Sequence, residues 1–225
     1  MTFWTPERCR EQIAVIGRLI YDRRLSDSAG GNISARAADG NIYMSPRYTG
    51  SRLHWQLRPA DVVCVAPDGT LLEGEGELSR EFRMHMAIYA HFPECGGICH
   101  AHPHHLLVFA SAQQPLPPTS EQTDKYGTIP LARPAKAHTN ELAECVIEAL
   151  APQREKLQKH AIACLLPRHG ITVAGRDLDD AYDALERLDG SAKIWIDRAA
   201  LALAARLRAE EGFEGPDGFW ADLGF

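Results

Sequence analysis

A chain of 225 residues and 24.9 kDa can bury one ordinary hydrophobic core without staples, and 45% apolar with 24% charged residues is the composition of a folded globular protein, not of a disordered tract. A formal charge of −6 and a pI near 5.9, with no useful run of Lys or Arg, argue against a nucleic-acid partner, and no stretch approaches the roughly 18 uncharged apolar residues of a membrane span. The six cysteines lack C-x-x-C spacing and read as reduced, and the N-terminus lacks a basic segment followed by an apolar one, so a cytoplasmic protein with a small-molecule partner is expected.

Ile13, Ile16 and Ile20 recur at three- and four-residue spacing, which predicts an amphipathic helix over about Pro6 to Asp22. Ser26 to Asn32 is a dense turn signal. Beyond it, β-like pieces around Ile33 to Arg36 and Ile42 to Met44, joined through Asp39-Gly40-Asn41, predict a hairpin. Asp61 to Val65 and Leu71 to Glu73 flank Pro67-Asp68-Gly69 and predict a second hairpin, its strands antiparallel neighbours. Ser79 is expected to cap a helix from about Arg80 to His91, with Glu81 in its first turn and Phe82, Met86 and Tyr89 on its buried stripe. An apolar strand over Ile98 to His102 is ended by Pro103, and a helix from about His104 to Ser111 follows. Thr139 opens a helix through Leu142, Val146 and Leu150. Ala161 to Leu166 reads as an apolar strand with His169 at its end, where Gly170 permits a turn. A long helix from about Leu178 to Arg208 precedes a Gly-rich aromatic tail, Gly212 to Phe225. With no repeat or linker, one domain over residues 1–225 is expected, residues 211–225 forming a tail, in an α+β or layered α/β/α arrangement.

The histidines carry the most chemistry. Alternation along a strand puts His100 and His102 on one face and Cys99 on the other, so two imidazoles can reach one point. Catalytic zinc usually takes three protein ligands and keeps one position open; His169 is the candidate third. His54, His85, His91, His138 and His160 read as ordinary core or surface side chains, while His104 and His105 suit either support of the ligands or plain packing. Glu81 would by default be a first-turn acid favoured by the helix dipole. Opposite an open metal position, such a carboxylate can instead move a proton or serve as a displaceable ligand. The Gly30-Gly31-Asn32-Ile33-Ser34 turn can offer backbone N–H groups to a carboxylate or phosphate, and Ser45 to Gly50 adds hydroxyls and a guanidinium. No G-x-G-x-x-G, Walker or G-x-S-x-G sequence accompanies them, which argues against nucleotide binding and acyl transfer.

Five ordered pieces, Gly31-Asn32-Ile33-Ser34, Ser45 to Gly50, Ser79-Arg80-Glu81, His100-Ala101-His102 and His169-Gly170, together resemble the class II aldolase and adducin head-domain family, which includes L-fuculose-1-phosphate aldolases and L-ribulose-5-phosphate 4-epimerases. The resemblance implies a three-layer α/β/α fold with a central, mainly antiparallel sheet, and a homotetramer with active sites at subunit interfaces. It implies one divalent metal per subunit, Zn2+ before Mn2+, Co2+ or Fe2+, held by His100, His102 and His169, with Glu81 as acid/base. Substrate contacts are expected from Asn32, Ser45, Arg47, Thr49, Gly50, Ser79 and Arg80. The sugar-phosphate members carry Ser-Ser where this chain has Ser79-Arg80, and their loop is shorter than Ser45 to Gly50. Arg47 or Arg80 could therefore hold a carboxylate bidentately, which brings decarboxylation beside aldol cleavage. The activity expected is C–C bond cleavage of a small hydroxy-carbonyl or carboxylate substrate through a metal-bound enediolate. The alternatives are a sugar-phosphate 4-epimerase or dehydratase on the same site, or a non-catalytic adducin-like interaction module.

Overall fold

The computed structural model describes residues 3–28 and 30–211, with side chains to residue 206; the tail from Gly212 to Phe225 lies outside the described residues. In chain order the elements are α1 (Pro6–Asp22), β1 (Asn32–Arg36), β2 (Ile42–Met44), α2 (Thr49–Leu53), β3 (Val63–Val65), β4 (Leu71–Glu73), α3 (Phe82–His91), β5 (Gly97–Ala101), α4 (His104–Ala112), α5 (Glu121–Asp124), α6 (Asn140–Leu150), β6 (Ile162–Leu166), β7 (Gly170–Gly175) and α7 (Leu178–Glu211). Short 3-10 segments span Pro59–Asp61 and Ala151–Gln158.

One seven-stranded sheet runs in the order β4-β3-β2-β1-β5-β7-β6, and each neighbouring pair is antiparallel. Its two faces are sorted by side-chain alternation. Ile33, Ala35, Cys99, Ala101, Ile171 and Val173 pack with residues of α1, α4 and α7; Ile98, Ile162, Cys164, Leu166 and Ala174 pack with residues of α3 and α6. The result is the expected three-layer α/β/α architecture. It leaves Cys99 on the face opposite His100, so no thiol of β5 joins the histidines.

Three local expectations need correction. The strand β7 was not anticipated: all six of its residues are buried, so it shows no polar alternation, and its only signal is the β-branched run Ile171-Thr172-Val173 between glycines. It carries weight because it pairs with β5 on one side and β6 on the other. The helix α3 begins at Phe82, with Glu81 as the residue before its first turn; Ser79 is not its cap, and its hydroxyl accepts instead from the Glu81 N–H at 3.3 Å. Its buried face is Met84, His85, Ile88 and Tyr89, while Phe82 and Met86 are half-buried against Met44, Val63 and Val65. The polar pair on that face is tolerated because His85 and Tyr89 both bond Ser34 of β1. Finally, β5 stops at Ala101 and His102 lies just past its end, because the ladder to β7 closes at Ala101 and Ile171.

Candidate metal centre and substrate cavity

His100 is 1% exposed near the end of β5, between β1 and β7, with Nδ1 3.0 Å from the carbonyl oxygen of Ile171. A carbonyl only accepts, so Nδ1 carries the proton and Nε2 presents a lone pair. That Nε2 lies 3.3 Å from Nε2 of His102. His169 arrives from the β6–β7 turn, and ligand atoms of the three imidazoles all lie within 4.8 Å of one another. Tetrahedral zinc with bonds of about 2.0–2.1 Å separates its ligand nitrogens by about 3.3–3.4 Å, so the His100–His102 spacing matches a shared cation.

The electrostatics point the same way. Burial holds the His100 imidazole well below its ordinary pKa, and the two neighbouring histidines push it further. Burial also lowers His102 and His169, in the latter case against the opposing charge of Glu81. Three neutral imidazoles converging on one point form a donor set suited to a divalent cation.

Two turns make the convergence possible. Arg168 adopts a left-handed φ of +58°, and Gly170 follows. A Cβ at Gly170 would collide with the Ala101 carbonyl and stand 2.8 Å from Cδ2 of His102, so only glycine lets the His169 turn lie against the end of β5. On the other side, Gly31 has φ +91°, and a Cβ there would lie 2.8 Å from the Ser26 hydroxyl and 3.0 Å from the His100 carbonyl.

Glu81 is 4% exposed, and its Oε1 lies 3.7 Å from His169 Nε2 and 2.9 Å from His138 Nδ1. The His138 contact is too poorly aligned for a hydrogen bond, and neither buried atom has a hydrogen-bond partner among the described residues. His138, expected to be an ordinary side chain, thus belongs to the site. Its backbone is left-handed at φ +68°, immediately before Thr139, the N-cap of α6. Nothing in the sequence ties position 138 to position 81. His85 differs from expectation in another way: burial pushes its pKa down to about 3, Nδ1 is 2.7 Å from the Ser34 hydroxyl, and the buried Nε2 has no hydrogen-bond partner. His105 bonds Asp189 at 2.8 Å and ties α4 to α7.

A cavity of about 320 Å³ opens over this cluster. Asn32, Arg47, Thr49, Gly50, Ser79 and Arg80 line it, together with Glu81, His138 and the three clustered histidines. Asn32 pairs in register with His100 and has a buried, unpartnered Oδ1. Arg80 is exposed at the rim. Arg47 is engaged by Glu77 at 2.6 Å and lies over the Tyr48 ring. Ser45 does not line the cavity: its fully buried hydroxyl accepts from the Ile33 N–H at 3.1 Å and fastens the loop to β1.

The family model for the class II aldolase and adducin N-terminal domain matches residues 11–196. A 3-oxo-tetronate 4-phosphate decarboxylase of Cupriavidus necator is 34% identical over 201 residues, covering 85% of each chain. A 5-deoxy-D-ribulose 1-phosphate aldolase of Bacillus thuringiensis is 26% identical over 90% of this chain and 91% of that one. A solved L-fuculose 1-phosphate aldolase covers 86% of this chain and 87% of its own with a TM-score of 0.76; at 24% identity that likeness establishes the fold.

Proposed function

This chain belongs to the class II aldolase and adducin N-terminal domain family, and from that premise we propose that it is a metal-dependent lyase that breaks a C–C bond of a small phosphorylated hydroxy-carbonyl acid. The observation that carries the reading is the buried Glu81 carboxylate, its Oε1 without a hydrogen bond, beside three converging neutral imidazoles. A non-catalytic interaction module has no use for that arrangement, which costs folding free energy.

His100, His102 and His169 would hold the cation, most suitably Zn2+ with Mn2+, Co2+ or Fe2+ as alternatives, and when bound it supplies Lewis acidity toward the substrate's carbonyl and adjacent hydroxyl oxygens. The remaining work falls to this chain's side chains. In decarboxylation of a 3-oxo acid, the electron pair of the C1–C2 bond passes into a C2–C3 enediolate as carbon dioxide departs, and Glu81 relays a proton taken up from solvent to C2. Asn32, Thr49, Gly50 and Ser79 form the wall for the phosphate, and Arg80 at the rim is placed for the carboxylate. Arg80 suits that role better than Arg47, which Glu77 already occupies.

A second reading, aldol cleavage of a ketose 1-phosphate, is favoured by the likeness to the 5-deoxy-D-ribulose 1-phosphate aldolase. The chemistry converges, because breaking C3–C4 of such a ketose leaves the same three-carbon enediolate phosphate. Glu81 would then first take the C4 hydroxyl proton and return it to C3. We further propose one domain, a homotetramer with sites at subunit interfaces, and a cytoplasmic location. No helix among the described residues is long and apolar enough to cross a membrane, and the six cysteines are unpaired, which suits a reducing compartment.

Zinc-loaded protein supplied with 3-oxo-tetronate 4-phosphate should release carbon dioxide and dihydroxyacetone phosphate in equal amounts. A ketose 1-phosphate would give the same phosphate with an aldehyde. Absence of dihydroxyacetone phosphate from both substrates defeats the assignment.

A further inference from the structure

We propose that Trp55 is a positioning residue: it fastens the two loops of the cavity wall, residues 26–31 and 45–50, into one rigid anion-binding surface. The inference rests on the reading above that Asn32, Thr49 and Gly50 receive the substrate's phosphate. Trp55 is fully buried behind the residues that line the cavity. It grips the wall from there at three points. Its backbone N–H donates to the Thr49 carbonyl at 3.0 Å, and its indole N–H donates to the Asp27 carbonyl at 3.1 Å. Its ring lies against Gly31, where an added Cβ would stand 3.1 Å from Cζ2. Thr49 and Gly31 both line the cavity, one from each loop.

Asp27 is where the loops meet. The carbonyl oxygen that accepts from the indole also presses on Gly50, where a Cβ would stand 2.8 Å from it and 3.2 Å from the Ser28 carbonyl oxygen. The first loop is closed on itself, because the Ser26 hydroxyl donates to the Gly30 carbonyl at 2.7 Å. The backbone supplies a second, independent observation. Tyr48, His54 and Trp55 flank the five-residue helix α2 with φ of +67°, +49° and +60°, the left-handed region that a residue's own Cβ disfavours. Such strain persists only where the surroundings hold it, and it gathers at functional sites. Glycine would make the turn at position 55 without strain, but only a buried indole with its N–H satisfied can pin that turn to Asp27 and Gly31. A wall fixed before the ligand arrives spares the ligand the ordering of two loops.

The test removes the indole N–H and leaves the packing. Trp55→3-benzothienylalanine, made by amber suppression, puts sulfur in place of the N–H in a ring of the same shape, and Trp55→Phe is the second variant. On zinc-loaded protein, calorimetry reads the Kd for inorganic phosphate, and kinetics compare 3-oxo-tetronate 4-phosphate with the unphosphorylated acid. The isosteric variant should unfold within a few degrees of the unsubstituted protein and bind phosphate about 3- to 10-fold more weakly, the scale of one hydrogen bond. KM for the phosphorylated substrate should rise by the same factor, while kcat and the kinetics on the unphosphorylated acid stay as they were. Trp55→Phe should show the same split at a lower Tm. Undiminished phosphate affinity in both variants, or an equal loss on the two substrates, overturns the role of Trp55 while leaving the lyase intact. Weakened phosphate binding in a protein that releases no dihydroxyacetone phosphate supports the role of Trp55 and overturns the lyase instead. Failure of the unsubstituted protein to bind phosphate overturns this inference.

Discussion

His100 reaches the cluster with its tautomer already chosen, because the Ile171 carbonyl accepts from Nδ1 and leaves Nε2 free. Preorganisation of this kind spares the ring any reorientation when a cation binds. His169 has no such fixed partner in the sheet; it depends on its turn and on Glu81. Replacing His169 by Asn should therefore release the cation readily, and metal analysis after dialysis should find well under one zinc per chain. Full retention would remove His169 from the ligand set. Glu81→Gln keeps the shape and loses the proton chemistry: zinc content should hold while kcat falls by about 10²–10⁴, the usual contribution of general acid–base catalysis. Steady-state kinetics on zinc-matched samples decide this, and undiminished turnover would leave the proton to another group.

The elements that matter most are the turn between β6 and β7 and the start of α6. Gly170 lets the turn lie against the end of β5, so Gly170→Ala should act in two places at once. The added methyl meets the Ala101 carbonyl and the His102 ring, and overpacking of this kind costs about 1–3 kcal/mol. Urea unfolding should show that loss, and chelator competition should show weaker zinc binding; wild-type values in both would mean that the backbone adjusts freely. At α6, Thr139 is a conventional N-cap, so Thr139→Ala should destabilise the protein by about 0.5–2 kcal/mol. Equilibrium unfolding is the check. An unchanged midpoint would show that the helix start is held by something other than this hydroxyl.

Across the whole molecule, the sheet buries a polar chain from Tyr89 through Ser34 to His85 on the face that also carries His100. Burial holds His85 near a pKa of about 3, whereas in an unfolded chain it would titrate near its ordinary value of 6.5. Between those values the unfolded state binds a proton that the folded state refuses, so stability falls as pH drops from about 6.5 toward about 3 and levels below that. One proton corresponds to about 1.4 kcal/mol per pH unit. The depressed His100 adds in the same direction. In metal-free protein, His85→Asn should flatten the dependence of unfolding free energy on pH between about 6 and 4 by roughly one proton's slope. An identical slope would mean that His85 is not the proton the folded state excludes.

Local patterns in the chain were enough to determine the longer helices and both hairpins, since helical spacing and turn chemistry act between residues near in sequence: Ile13-Ile16-Ile20, Pro67-Asp68-Gly69 and Thr139 are cases in point, whereas the short helices α2 and α5 carried no such signal. Ordered motifs likewise mark the histidines, Glu81 and most of the cavity wall. The interior strand β7 left only a faint trace, because a strand covered on both faces has no alternation to read. Ser45 could not be told from a substrate contact, because whether a hydroxyl faces a cavity or a backbone amide is settled by packing. The meeting of His138 with Glu81 was decided by tertiary structure alone. It spans two loops that become neighbours only when α3 and α6 pack side by side on one sheet face.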